Sequence, residues 1–269
     1  MDNMLQCTTR PRARPFIKWA GGKRALIPDS LGLYWEPFMG GGAVFFALEA
    51  RLGSAHISDV NPELALTYQM VRNRPDELIA LLQEHEARHA DNDYYYKVRA
   101  KGSSRDALEV AARFIYLNKT CYNGLYRVNK SGQFNVPRGR YKKPAIVDTA
   151  NIRAASEALK MADVTFGDFA RVTPGNGDFI YCDPPYDGTF TSYAVGGFDD
   201  AEQHRRRDEV IKWHKRGARV MVSNANTPLI QQLYAGSPFT LHPVQAARQI
   251  NCKSDGRGAV GELLITTYA

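Results

Sequence analysis

The apolar run Phe179-Ile180-Tyr181-Cys182 is stopped at once by Asp183-Pro184-Pro185-Tyr186. Consecutive prolines supply no N–H to a sheet ladder and hold φ at about −65°, so a strand has to end here with Asp183 at its carboxyl edge. Similar short apolar runs, closing in Gly, Asp, Asn or Pro, fall near 33–37, 56–60, 164–167, 219–224 and 261–267. Helical patterns cover 43–52, 62–86, 104–118, 151–161 and 201–215. Runs and helices in alternation predict an α/β fold, a mostly parallel sheet with helices on both faces.

One interval is too long for that scheme. About a hundred residues separate the runs at 56–60 and 164–167, whereas a crossover between parallel strands needs roughly a dozen. The excess predicts an inserted, mainly helical subdomain over 62–144, within a core formed by 1–61 and 145–269. Charge marks the same interval. Of the net +7, residues 1–28 hold +5, residues 110–147 hold +8 with no acidic residue among them, and the remainder sums to −6. Phe114, Tyr116, Tyr122, Tyr126, Phe134 and Tyr141 interleave with the basic residues of the second patch. Cations mixed with aromatics suit a phosphate backbone and base edges, although a solvated basic loop would have the same charge.

Cys7, Cys121, Cys182 and Cys252 are widely spaced, with no C-x-x-C and no Cys/His pairing. Neither a disulfide framework nor a zinc site is indicated, and no metal is expected. No apolar run approaches the roughly 18 residues of a membrane span, and the leader MDNMLQCTTRPRARP has no apolar signal-peptide core. The expected setting is the cytoplasm, with no membrane partner.

Two motifs carry chemistry. Glu36-Pro37-Phe38-Met39-Gly40-Gly41-Gly42 lies between a strand and a helix, where glycines let the backbone approach a ligand at the carboxyl edge of the sheet. Dinucleotide and P-loop patterns fit poorly: the first needs Gly at the position of Phe45, and Gly21-Gly22-Lys23-Arg24 lacks the upstream Gly and the Ser or Thr of the second. A pyrophosphate nucleotide is thus disfavoured. Asp59, about 20 residues beyond the first glycines, suits a pair of ribose hydroxyls; a helix cap before Pro62 is the other reading.

The second motif is Asp183-Pro184-Pro185-Tyr186 itself. Its prolines fix the backbone so that the Asp183 carboxylate and the Pro184 carbonyl become two rigid acceptors, with the Tyr186 ring as a flat face beside them. Such a set fits a planar exocyclic amine, for example adenine N6 flipped out of a duplex. A plain turn with a capping Asp is the alternative.

With these residues in view, the chain resembles the DNA adenine-N6 methyltransferases of the Dam type. The resemblance runs in order through Phe16-Ile17-Lys18-Trp19-Ala20-Gly21-Gly22-Lys23, Glu36-Pro37-Phe38, Asp59-Val60-Asn61, Tyr122-Asn123-Gly124-Leu125-Tyr126-Arg127, Phe134-Asn135-Val136-Pro137, Gly139-Arg140-Tyr141-Lys142-Lys143-Pro144 and Asp183-Pro184-Pro185-Tyr186. It implies a Rossmann-like domain for S-adenosyl-L-methionine, with a target-recognition subdomain for double-stranded DNA inserted after Asp59. By the same resemblance Trp19, Lys23, Phe38, Gly40 and Gly42 hold the cofactor's methionine end and Asp59 its ribose. Asp168 and Phe169 read its adenine ring, and Asp183, Pro184, Pro185 and Tyr186 form the catalytic loop. Arg127 resembles an arginine that reads a guanine, Tyr122, Asn123 and Leu125 its neighbours at the flipping site, and Lys18 a lysine at the first base pair. Pro137, Arg138, Arg140, Tyr141, Lys142 and Lys143 complete the implied DNA face. A bacterial or phage-encoded enzyme at the nucleoid is implied, solitary or paired with a restriction enzyme, and a homodimer on DNA would match a palindromic site.

Two positions depart from the pattern. Arg138 stands where GATC-methylating members carry an aromatic residue, and the stretch DGTFTSYAVGGF after Tyr186 is shorter than in some of them. A GATC-like site and a GTWWAC-like site are both compatible. An RNA adenine or a protein glutamine would also suit the catalytic loop, and a non-catalytic DNA-binding regulator is the remaining class. Cytosine-C5 chemistry is disfavoured because its nucleophile is a Pro-Cys pair, and no cysteine here follows a proline.

Overall fold

Alternation along the strands assigns the two faces of the sheet. In the computed structural model, which describes residues 12–16, 27–102, 104–129, 131–188, 198–246 and 260–268, β4 (Phe179–Cys182) is buried along its whole length. Phe179 and Tyr181 join the core beneath the helices that follow the first two strands, whereas Ile180 and Cys182 join a second core beneath the C-terminal helices. β5 (Arg219–Ala225) repeats the division, with Met221 on the first face and Val220 and Val222 on the second. Period-two burial on both sides is what a central strand of a helix-covered sheet requires.

The sheet has the order β3-β2-β1-β4-β5-β7-β6, where β1 is Tyr34–Glu36, β2 Ala55–Asp59, β3 Ala162–Phe166, β6 Thr240–Ala246 and β7 Val260–Thr266. Strands β1 to β5 pair in parallel, and β7 runs antiparallel between β5 and β6. The chain therefore has the mixed, mostly parallel, Rossmann-like α/β architecture. It moves outward from β1 to β3 and then returns to β4 on the other side of β1, so the order reverses between β1 and β4. Crevices at the carboxyl ends of strands open where the order reverses.

All six expected strands are present. β6, which the periodicity does not suggest, is the seventh; it contains Pro243, tolerable because β6 lies at the edge. Helices α1 (Ala43–Leu48), α5 (Ala107–Thr120), α6 (Thr149–Leu159) and α7 (Asp200–Lys215) correspond to expected ones. The long helix over 62–86 is two, α2 (Pro62–Asn73) and α3 (Pro75–Arg88). Pro75 removes an N–H and pushes Arg74 out of the helical region, to φ −138° and ψ 51°. α4 (Asn92–Ala100) and α8 (Pro228–Leu233) are additional, each too short or too polar for a clear apolar period.

The helices between β2 and β3 are seated on the sheet through α2. Gln69 donates to the Val164 carbonyl at 2.8 Å and Arg72 to that of Ala162 at 2.7 Å, both on edge strand β3. α2 starts well because the Asn61 side chain accepts from the amides of Glu63 and Leu64. α5 packs on α2, and its ten buried residues make it the centre of the helical layer. Among the described residues no helix is long and apolar enough to cross a membrane, and no group of His, Cys, Asp or Glu could hold a metal.

Candidate active site and nucleic-acid interface

The glycine loop after β1 is tied to the end of β2 by a carboxylate. Asp59 accepts from the Gly40 amide through Oδ2 at 3.0 Å and from the Asn61 amide through Oδ1 at 2.9 Å. Asp59 thus organises the crevice, while Asn61 does the capping. Burial raises the Asp59 carboxyl pKa, and the amides of Asn61, Gly40 and Val60 oppose that. Three amides on two oxygens leave the carboxylate a lone pair with which to accept a hydroxyl. Gly42 starts α1 at φ 64°, and a Cβ there would stand 2.9 Å from the Tyr68 hydroxyl, which donates to the Gly40 carbonyl. Only glycine fits.

Beneath this loop Glu36 is 2% exposed and accepts from the Tyr34 hydroxyl at 2.7 Å and the Phe45 amide at 3.1 Å. Burial, reinforced by the nearby Asp183 charge, pushes its pKa up to about 8. The carboxyl group is therefore largely protonated at neutral pH.

Asp183 to Tyr186 follow β4 on the same carboxyl edge. The Ser223 hydroxyl, at the end of β5, donates to Asp183 Oδ1 at 2.8 Å. With its single proton so used, Ser223 accepts from the Tyr181 hydroxyl at 3.1 Å. Asn224, fully buried beside it, accepts from the Asp187 amide at 2.9 Å and donates to Gln203 of α7 at 3.0 Å. Gln203 in turn donates to the Pro185 carbonyl at 3.2 Å, and Thr227 to the Asp187 carboxylate at 2.5 Å. Gln203 thus grips the carbonyl next to the proposed acceptor and not the Pro184 carbonyl itself. Burial drives the Cys182 thiol pKa up to about 12, so the cysteine before Asp183 stays protonated and inert.

Ser223, Asn224, Gln203 and Thr227 are absent from the sequence-derived candidates. A signal existed for two of them: Ser223-Asn224 are polar residues closing the apolar run 219–222, the same pattern that singles out Asp183.

Asp168 follows β3, with Phe169 in the short helical turn Phe169–Arg171 that it caps. Both Asp168 oxygens face the Arg205 guanidinium at 2.7 Å, and that hydrogen-bonded pairing holds its carboxyl pKa below the usual range. Phe169 stacks on Phe38 with ring centres 5.2 Å apart, and Phe198 closes edge-on against Phe38 at 5.9 Å. Phe38, Gly40, Gly42, Asp59, Asp168 and Phe169 thus come from the ends of β1, β2 and β3 onto one rim. Lys18, Trp19 and Lys23 lie outside the described residues.

The basic segment lies against the helices between β2 and β3. Tyr122, Asn123 and Gly124 form a tight turn after α5, with Asn123 left-handed at φ 54°, and Leu125 closes it. The chain then folds back: Val128 bridges Phe134, Asn135 donates to the Arg127 carbonyl, Tyr122 to that of Pro137, and Gly139 to that of Thr120. A Cβ on Gly139 would meet the Cys121 carbonyl at 2.7 Å, which requires glycine at this crossing. The Tyr95 hydroxyl of α4 pins the return strand by donating to the Val136 carbonyl at 2.9 Å. Arg127 donates through Nε and Nη2 to Asn135, at 2.7 and 3.3 Å to the side-chain and backbone oxygens. Arg138, half-buried, donates its guanidinium to Asn92 at 2.5 Å and to the His89 carbonyl at 3.0 Å. Tyr122, Pro137, Arg140, Tyr141, Lys142 and Lys143 are exposed.

A family model described as D12 class N6 adenine-specific DNA methyltransferase matches residues 19–250. The chain is 39% identical to Type II methyltransferase M1.LlaDCHI of Lactococcus lactis subsp. cremoris, with 99% of each chain covered. It is 41% identical to Type II methyltransferase M.MjaIII of Methanocaldococcus jannaschii, over 95% of this chain and 99% of that one. A DNA adenine methylase of Vibrio cholerae is 35% identical, over 94% of this chain and 95% of its own length. Both the extent of the family match and these near full-length identities show that the chain belongs to the D12 class N6 adenine-specific DNA methyltransferases.

Proposed function

We propose that the chain is a site-specific, adenine-specific DNA methyltransferase that uses S-adenosyl-L-methionine and acts on an adenine flipped out of a short duplex site, GATC-like or GTWWAC-like. The observation that carries this reading is the catalytic loop 183–187, clamped at the point where strand order reverses and beside the glycine loop held by Asp59. The residues present fit the cofactor: positive-φ glycines at 40 and 42, a carboxylate with a lone pair to spare, and an aromatic rim. Phe38, Gly40 and Gly42 would take its methionine end together with Trp19 and Lys23, Asp59 its ribose, and Asp168 and Phe169 its adenine. When bound, it supplies an electrophilic sulfonium methyl group.

The chain's own task is to make a poor nucleophile attack. The adenine N6 lone pair is delocalised into the ring; accepting both amine hydrogens, at the Asp183 carboxylate and the Pro184 carbonyl, localises it and stabilises the charge that develops. Tyr186 stacks on the flipped base and Pro185 stiffens the turn. Direct in-line transfer then depends on positioning, with no covalent enzyme intermediate. Residues 62–144 serve DNA recognition with α2 as their seat: Arg127 reads a guanine, Tyr122, Asn123, Leu125 and Pro137 line the flipping site, Lys18 meets the first base pair, and Arg140, Tyr141, Lys142 and Lys143 grip the backbone.

Tritium transfer from labelled cofactor, offered duplex DNA, RNA and protein in parallel, tests the reading. Label in duplex DNA as N6-methyladenine supports it. Label in RNA or protein, or none in any fraction, would overturn it. Sequencing methylated adenines in an expressing host then identifies the site and separates the two candidate palindromes.

A further inference from the structure

Asp168 is the carboxylate proposed above to meet the cofactor's adenine, and the inference below rests on that reading. Its oxygens are already partly engaged. Oδ1 accepts from the Ala170 amide at 2.9 Å and from Arg205 Nη1 at 2.7 Å, which uses both of its lone pairs. Oδ2 accepts from Arg205 Nη2 at 2.7 Å and keeps one lone pair. A two-point fork of this kind fixes the plane of the carboxylate as well as its place.

Arg205 is itself immobilised. Its Nε and Nη2 donate to the two Glu202 oxygens at 3.0 and 2.6 Å, and its central carbon lies 4.1 Å over the Phe169 ring. Four of its five N–H groups are thereby used. Its side chain is 38% exposed, a setting in which an ion pair adds little to stability. So much hydrogen bonding for so little stability points to orientation as its use.

We propose that Arg205 is a positioning residue for cofactor selectivity: it clamps Asp168 so that one remaining lone pair, on Oδ2, faces the adenine amine. A carboxylate held this way accepts from an amino group and repels a carbonyl at the same ring position. Adenine is thereby preferred over hypoxanthine.

Calorimetric titration of the full chain with S-adenosylhomocysteine and with its hypoxanthine counterpart, S-inosylhomocysteine, tests this. The ratio of the two affinities is unaffected by any inactive fraction, and circular dichroism reports folding independently. Wild type should prefer the adenine ligand. Arg205→Ala should weaken it about tenfold and shrink the preference by a similar factor, because the freed carboxylate no longer presents a fixed acceptor. Arg205→Lys, with charge but no fork, should fall between the two. Equal weakening of both ligands in Arg205→Ala would reduce Arg205 to a structural residue, and tighter binding would make it a competitor of the cofactor; either overturns the proposal. Asp168→Ala is the control for the underlying reading. It should abolish the preference; if the preference survives, Asp168 does not touch the adenine amine and the role of Arg205 falls with it. Loss of preference in Asp168→Ala alone would leave that reading intact and remove Arg205 from it.

Discussion

The proposed catalytic loop and the proposed recognition segment lie in the same molecule but are built in opposite ways. Residues 183–187 are gripped from β5, α7 and the N-terminal cap of α8 by Ser223, Asn224, Gln203 and Thr227, which come from 18 to 40 positions further along the chain. Residues 122–143 hang from the helical layer by a few clips, among them Tyr95 and the Arg138–Asn92 pair, and are braced within themselves by the Arg127–Asn135 pair. On the proposed function, chemistry on one amine tolerates displacements of only a few tenths of an ångström, which suits acceptors set on the sheet edge. Reading and gripping DNA needs fewer fixed atoms. There the arginines divide into those restrained by protein contacts and those left exposed.

The comparison breaks most sharply at Asp183. Asp183→Ala should cost on the order of 3 kcal/mol in turnover, roughly a hundredfold or more, with DNA affinity by fluorescence anisotropy unchanged. Near-normal turnover would remove the carboxylate from the chemistry. Asn224→Ala deletes the buried amide that accepts from Asp187 and donates to Gln203. Turnover should drop about tenfold or more and thermal stability by about 1–3 kcal/mol, so a loop that works equally well without Asn224 would show that the clamp is not needed.

On the recognition side, Arg127→Ala should relax specificity at one base pair by about 1–3 kcal/mol when methylation of single-substituted sites is compared, and Asn135→Ala should do so in part. A uniform loss over all sequences would reassign Arg127 to phosphate.

Glu36 sharpens the contrast through pH. Its folded pKa, about 8, lies above the ordinary value of 4.5, so the folded state holds the proton more tightly. Its contribution is complete below about 4.5 and is lost as pH rises through 8, at no more than about 1.4 kcal/mol per pH unit. Melting curves between pH 6 and 9 should therefore flatten in Glu36→Gln; the same slope in both proteins would assign it elsewhere. The smallest effect concerns grip: replacing Lys142 and Lys143 by Gln should lower the slope of log affinity against log salt by about two. Arg138→Ala should leave that slope near wild type while lowering the melting temperature, since its guanidinium serves Asn92 and His89. A reduced slope would place Arg138 on the phosphates.

Much of the core was legible because its causes are local. Prolines end β4 wherever the chain goes, period-two and helical patterns need only near neighbours, and the interval between β2 and β3 is simply too long for a crossover. The break at Pro75 is as local, yet an apolar period running on through Arg74 hid it. α4 was hidden because it is short and polar on average, with only Tyr94, Tyr95 and Val98 buried. β6 was hidden because a Pro-containing edge strand is permitted by its position and not by its residues.

The amino-acid sequence by itself determined the class of sheet, the over-long interval between β2 and β3, and the two motifs that end β1 and β4. The tertiary structure alone decided which side chains hold those motifs still: Ser223 for Asp183, Arg205 for Asp168, Asn135 for Arg127, and Asn92 for Arg138. Hydrogen bonds are satisfied between atoms that meet in space, and Arg205 stands 37 residues from Asp168 and Arg138 46 from Asn92. No spacing along the chain encodes such pairs; the strand order and the packing of the helices bring them within reach.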